Sequence, residues 1–134
     1  MPCREEETSV FWIETDQELA DAVASWDNCV GLDTEFIRTD TFYPIPGLYQ
    51  VASADQVFLI DPLTIEDWQP FSTFLMDPKT LIVMHACQED LEMLNHHLKV
   101  QPTSVVDTQF AHAFTGVDYS LSYANLVRRT IGVE

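Results

Sequence analysis

Cys29-Val30-Gly31-Leu32-Asp33-Thr34-Glu35-Phe36 is the stretch on which the fold turns. Val30 and Leu32 face one way, the period-two signature of a strand entering a core. The same alternation sends Asp33 and Glu35 to a common side, about 7 Å apart along the chain. Two carboxylates on one face of a core strand repel each other and lose hydration unless something positive lies between them. A divalent cation is one answer, because Mg²⁺ and Mn²⁺ favour oxygen ligands. The other reading is that the strand ends here and both acids are solvated.

Outward from this strand the pattern alternates between two periods. On the N-terminal side, Glu5 to Glu7 read as a solvated tail and Val10–Ile13 as a short strand. Thr15 or Asp16 then caps a helix whose apolar residues Leu19, Ala22, Val23 and Trp26 recur at helical spacing. On the C-terminal side, Pro44 and Pro46 mark a loop over Thr39–Pro46. Leu48–Ser53 and Gln56–Ile60 read as two strands joined by a tight Ala54-Asp55 turn that has no glycine. Trp68, Phe71, Phe74 and Leu75 make a helical stripe, read as core rather than as a base-stacking platform. Beyond it lie a buried strand at Leu81–Met84, a helix at Glu89–Leu98 and a strand at Val105–Val106 running into Asp107. Helices near Thr108–Phe114 and Ser122–Ile131 follow. This order implies an α/β fold: an antiparallel meander extended by parallel strands through helical crossovers, with helices on both faces.

With 134 residues, 46% hydrophobic and 21% charged, the chain suits one globular domain and has no room for a second sizeable one. Its acidic start does not resemble a secretory signal, and its aliphatic runs fall far short of the roughly 20 residues of a membrane span. A soluble, cytoplasmic protein is expected. Cys3, Cys29 and Cys87 are widely spaced and include no C-x-x-C pair, which fits reduced thiols rather than a disulfide framework or a thiolate zinc site. Cys87 reads as a small packing residue or, alternatively, a reactive thiol. The formal charge of −16, with only six Lys and Arg, argues against binding nucleic acid through a basic stripe alone. Divalent cations or a further basic region would have to supply the positive charge.

Three more positions carry candidate chemistry. Met84-His85-Ala86-Cys87-Gln88-Glu89-Asp90-Leu91 places acids at a helix start after a buried strand. The helix dipole and free N–H groups explain them, but such strand ends are also where ligands gather in open sheets. His85 reads as a hydrogen-bonded core histidine or as a ligand, and His96 and His97 as helix surface and flank. Asp107 is a helix cap or a fourth carboxylate ligand. No phosphate-loop, dinucleotide-binding or serine-hydrolase motif is present.

Leu32-Asp33-Thr34-Glu35-Phe36-Ile37-Arg38-Thr39 with Tyr43-Pro44 resembles the first motif of the ribonuclease D family, within the DEDD exonuclease superfamily. Leu59-Ile60-Asp61-Pro62-Leu63, His85-Ala86-Cys87-Gln88-Glu89-Asp90-Leu91-Glu92 and Val106-Asp107-Thr108-Gln109 match the segments that follow, in order and at matching spacing. The resemblance covers roughly residues 10–134. It implies a ribonuclease H-like fold and two-metal, Mg²⁺- or Mn²⁺-dependent hydrolysis of RNA from its 3′ end, of the tRNA-processing type. Asp33, Glu35 and Asp90 would be three of the four catalytic, metal-binding carboxylates and should converge on one site. Asp107 matches no catalytic acid, which favours the cap. The family's third motif, a tyrosine with the fourth aspartate, would lie past Glu134. Residues 1–134 would then be a partial exonuclease domain, inactive alone. The competing reading is a non-catalytic acidic protein-interaction module on the same fold.

Overall fold

A computed structural model describes residues 7–133, so the expected solvated tail lies outside the described residues except for Glu7, which is exposed. The described chain forms β1 (Ser9–Ile13), α1 (Asp16–Ser25), β2 (Cys29–Ile37), β3 (Ile45–Ser53), β4 (Gln56–Ile60) and α2 (Gln69–Met76). It continues with β5 (Leu81–Met84), α3 (Gln88–Leu98), β6 (Val105–Asp107), α4 (Thr108–Ala113) and α5 (Tyr123–Ile131). One sheet holds all these strands in the order β1-β4-β3-β2-β5-β6. β2, β3 and β4 are an antiparallel meander; β1 joins β4, β5 joins β2 and β6 joins β5 in parallel. This is the expected mixed α/β architecture.

Local chemistry sets the element ends. Thr15 caps α1 by accepting the Glu18 N–H at 3.2 Å, and the Glu18 carboxylate reaches back to the Glu14 N–H at 3.1 Å. α3 stops at Lys99, which takes the left-handed conformation at φ 58°. The buried sheet face presents Val30, Leu32 and Thr34 from β2, Tyr49 and Val51 from β3, and Phe58 and Ile60 from β4. Leu19 and Ala22 of α1, Phe71 and Leu75 of α2, Ile82 and Met84 of β5, and Met93 and Leu94 of α3 pack into the same core. Each large apolar side chain removed from water contributes about 1.5–3 kcal/mol. Trp26 meets Phe58, Phe71 and Phe74 edge-on, so the aromatic stripe is core as expected. The opposite side of β2 holds Gly31 and Asp33, which share an open cavity of about 400 Å³ with His85, Thr108 and Tyr123. Among the described residues no helix is long and apolar enough to cross a membrane.

Most boundaries fall within a residue or two of the expectation, and one differs by more. β3 begins at Ile45, so the expected loop gives up Ile45 and Pro46 to a strand. Ile45 and Pro46 pair only with β2, because β4 pairs with β3 from Tyr49 onward. That stretch is an edge, where a proline's missing N–H breaks no ladder on the open side.

The β3–β4 turn falls at Ala54-Asp55 as expected, and Ala54 adopts φ 52°. A residue with a Cβ is strained in that region by about 1 kcal/mol. Ala54→Gly is expected to stabilise the chain by a sizeable part of that figure in urea unfolding. A clear loss of stability would show that the turn is not strained.

Candidate metal centre

β2 delivers the first two candidate acids. Asp33 and Glu35 are both exposed, on the side of the strand opposite the buried Thr34. Asp33 stands across from Gln50 in the ladder, and Gln50 Nε2 donates to it at 3.4 Å. Just after Glu35 the register with β3 shifts, so that Glu35 pairs with Leu48 and Phe36 with Pro46. The residue left over is Gly47, where an added Cβ would lie 3.3 Å from the Glu35 carbonyl oxygen. A bulge of this kind bends a strand and re-aims its side chains. Sequence reading missed it; the Pro46-Gly47 pair was its signal.

The third acid arrives from the β5–α3 junction. Ala86 takes φ 51°, turning the chain so that α3 starts at Gln88 with Glu89 and Asp90 in its first turn. Asp90 is buried at 8% exposure, and its Oδ1 accepts a hydrogen bond from the Thr34 hydroxyl. Thr34 therefore ties the second motif to the first, a role the sequence reading did not assign. Burial pushes the Asp90 carboxyl above its ordinary value, the Thr34 bond pulls it back, and the charge of Asp33 pushes it up again. Among the described residues, no three His, Cys, Asp or Glu side chains are gathered tightly enough to form a metal-holding group.

The remaining candidates resolve one by one. Asp107 caps α4, accepting from Gln109 and Phe110 N–H, and also accepts from Ala86 and Cys87 N–H. Burial pushes its carboxyl up, but the backbone bonds from Cys87, Ala86 and Phe110 outweigh this and hold it below its ordinary value. His85 has both ring nitrogens engaged, Nδ1 with Thr108 Oγ1 and Nε2 with the Leu121 carbonyl, each at 2.8 Å. His97 is half-buried, with Nδ1 2.7 Å from the Tyr49 hydroxyl, and burial lowers its pKa. Cys87 is buried and its thiol is pushed up to about 11, chiefly by burial, which makes it an unreactive packing residue.

A family model described as 3′–5′ exonuclease matches residues 10–134. The chain belongs to the 3′–5′ exonuclease family. Within that family its similarity is to ribonuclease D. It is 42% identical to ribonuclease D of Pseudomonas paraeruginosa over 93% of this chain and 34% of the relative. The crystal structure of Escherichia coli RNase D, described as an exoribonuclease involved in structured RNA processing, matches with a TM-score of 0.84 and 39% identity. That match covers 91% of this chain and 33% of the other. Trypanosoma brucei RNase D in complex with RNA U12 matches with a TM-score of 0.83 and 26% identity, over 93% of this chain and 48% of the other. The chain spans about a third of the length of the curated relatives it matches.

Asp33, Glu35 and Asp90 are of the chemical type that a hard divalent cation prefers, though they are not gathered into one cluster. They offer carboxylate oxygens only, one of them buried and short of positive charge. Among the described residues, the Lys and Arg ion pairs are Arg38–Glu92 and Arg129–Asp118, and neither reaches Asp33, Glu35 or Asp90.

The raised pKa of Asp90 has a signed consequence for stability without metal. Its folded value lies above the unfolded one, so its contribution is fully favourable below the unfolded value and is lost as pH rises through the folded value. Asp90→Asn in EDTA is therefore expected to gain stability relative to the unsubstituted chain as pH rises from about 4 to about 7. Urea unfolding at several pH values measures this. A mutant deficit that grows with pH would mean that the Asp90 carboxylate is well satisfied when charged.

Proposed function

We propose that this chain is the front part of a metal-dependent 3′→5′ exoribonuclease domain, with Asp33, Glu35 and Asp90 as ligands for Mg²⁺ or Mn²⁺. The observation that carries the reading is Asp90: a buried carboxyl, tied to the residue between Asp33 and Glu35 and, among the described residues, in no ion pair with a Lys or Arg. Paired divalent ions, when bound, supply Lewis-acid stabilisation to the attacking and leaving oxygens of phosphodiester hydrolysis. This chain's own residues do the holding. Asp33 and Glu35 present exposed oxygens toward the substrate side, while Thr34 keeps Asp90 Oδ1 in place. His85 has both ring nitrogens hydrogen-bonded within the chain, so neither faces a substrate.

The substrate follows by relationship. A trypanosomal relative is known in complex with RNA U12, and the Escherichia coli relative is described as acting in structured RNA processing. We assign to this chain the 3′ ends of RNA, tRNA precursors in particular, and a cytoplasmic setting. No Tyr-x-x-x-Asp occurs in residues 1–134, so no residue of the chain is assigned to the third motif's tyrosine and fourth aspartate. A second reading, an acidic protein-interaction module, draws on the charge of −16 and on the absence, among the described residues, of a gathered three-acid cluster.

The deciding assay is 3′ trimming of labelled single-stranded RNA with Mg²⁺ or Mn²⁺, paired with Mn²⁺ titration, each repeated on Asp33→Asn. Losing members of a catalytic unit removes most of the rate at once, so residues 1–134 should trim no faster than the mutant. Mn²⁺ should nonetheless bind, and at least about tenfold more weakly in the mutant. Mn²⁺ binding indifferent to Asp33→Asn would favour the interaction module. Robust trimming abolished by Asp33→Asn would show that an acid within the chain, such as Asp107 or Asp118, completes the site.

A further inference from the structure

We propose that Asp107 is a positioning residue for Asp90, locking the β5–α3 turn that carries this acid into the site. The inference rests on the metal-site reading above and adds a residue to it.

As a cap for α4, Asp107 needs only its bonds to Gln109 N–H at 2.9 Å and Phe110 N–H at 3.3 Å. It makes two more, to a different element. Oδ1 also accepts from Ala86 N–H and Oδ2 from Cys87 N–H, both at 3.0 Å, reaching 21 and 20 residues back along the chain. The parallel pairing of β5 and β6 makes this reach possible, because Met84 and Asp107 are register partners at the ends of their strands. The turn so gripped needs an external hold. Ala86 sits at φ 51°, a conformation unfavourable for a residue with a Cβ, and Cys87, the N-cap of α3, makes no side-chain cap bond of its own. The next residue, Thr108, holds the turn's other flank through His85 Nδ1 at 2.8 Å. Asp90 stands in the first turn of α3, directly downstream. An acid shifted by about an ångström loses much of its value as a ligand, which is why groups that orient metal ligands typically matter 10- to 100-fold.

The two jobs of Asp107 are separable by substitution. Serine is a good N-cap and can still serve α4, but its single, shorter-reaching oxygen cannot bond Ala86 and Cys87 together. Asparagine keeps the length and one carbonyl oxygen, so it should retain part of the grip and serve if Asp107→Ser folds poorly. Two readouts are needed: residue-resolved amide exchange, and Mn²⁺ titration followed by the electron paramagnetic resonance signal of the free ion, with Asp90→Asn as reference. In Asp107→Ser, exchange at Ala86 to Asp90 should rise at least about tenfold, with a smaller change at Gln109 and Phe110, and Mn²⁺ affinity should fall about tenfold. Asp107→Asn should lie between this variant and the unsubstituted chain. Exchange that rises only across α4, or a loosened turn with Mn²⁺ affinity unchanged, would overturn the inference. Mn²⁺ binding unaffected by Asp90→Asn would instead sink the metal-site reading itself, whatever the exchange data show at the turn.

Discussion

The hydrogen bond from Thr34 to Asp90 joins residues 56 apart in sequence and ties the first turn of α3 to the middle of β2. Strand alternation makes it possible. Because Asp33 and Glu35 point outward, Thr34 points inward, and its hydroxyl meets the first turn of α3 as that helix crosses the buried face. A carboxylate at that depth is costly unless satisfied, and one hydroxyl satisfies only part of it. The Asp33 charge adds to the deficit. Among the described residues no Lys or Arg forms an ion pair with Asp33, Glu35 or Asp90.

Sheet topology gathers the other parts around that bond. β5 is parallel to β2, and β6 is parallel to β5, so their carboxyl ends lie along one edge. Asp33 and Glu35, the Ala86-Cys87 turn and Asp107 all come from that edge, the usual place for function in sheets with parallel strands. Each makes a different local compromise: a bulge beside Glu35, a left-handed Ala86, and a carboxylate that serves two elements at once. Such departures from regular structure concentrate where a protein acts rather than where it merely packs.

Much of this was legible in the residues. Alternation placed β2, β4 and β5 almost to the residue, and helical spacing found α1, α2 and α3 within a turn. The mixed sheet, an antiparallel meander extended by parallel strands, followed from the order of elements. The start of β3 was not legible, because Pro44 and Pro46 read as loop and only the one-sided pairing of that edge admits a proline. Of the candidate site, Asp33 and Glu35 stood out by their same-face spacing, which a solvated strand end would also give, and Asp90 was singled out by resemblance to the family's second motif. Their link through Thr34 could not be read, since a threonine between two acids looks like ordinary strand filler until the helix is docked. Asp107 was readable as a cap. Its grip on Ala86 and Cys87 depends on the parallel register of β5 and β6, a tertiary fact that no local pattern carries.

The central claim is that β2 and α3 present one cation site rather than two separate acidic surfaces. Paramagnetic line broadening by Mn²⁺, followed amide by amide, tests it most directly. At low Mn²⁺ the resonances of Asp33, Thr34, Glu35 and Asp90 should broaden together, before those of other acidic stretches such as Glu14 to Asp21, and Mg²⁺ should reverse the effect. Broadening that begins at Glu14 to Asp21, or that reaches β2 without reaching the start of α3, would contradict a shared site.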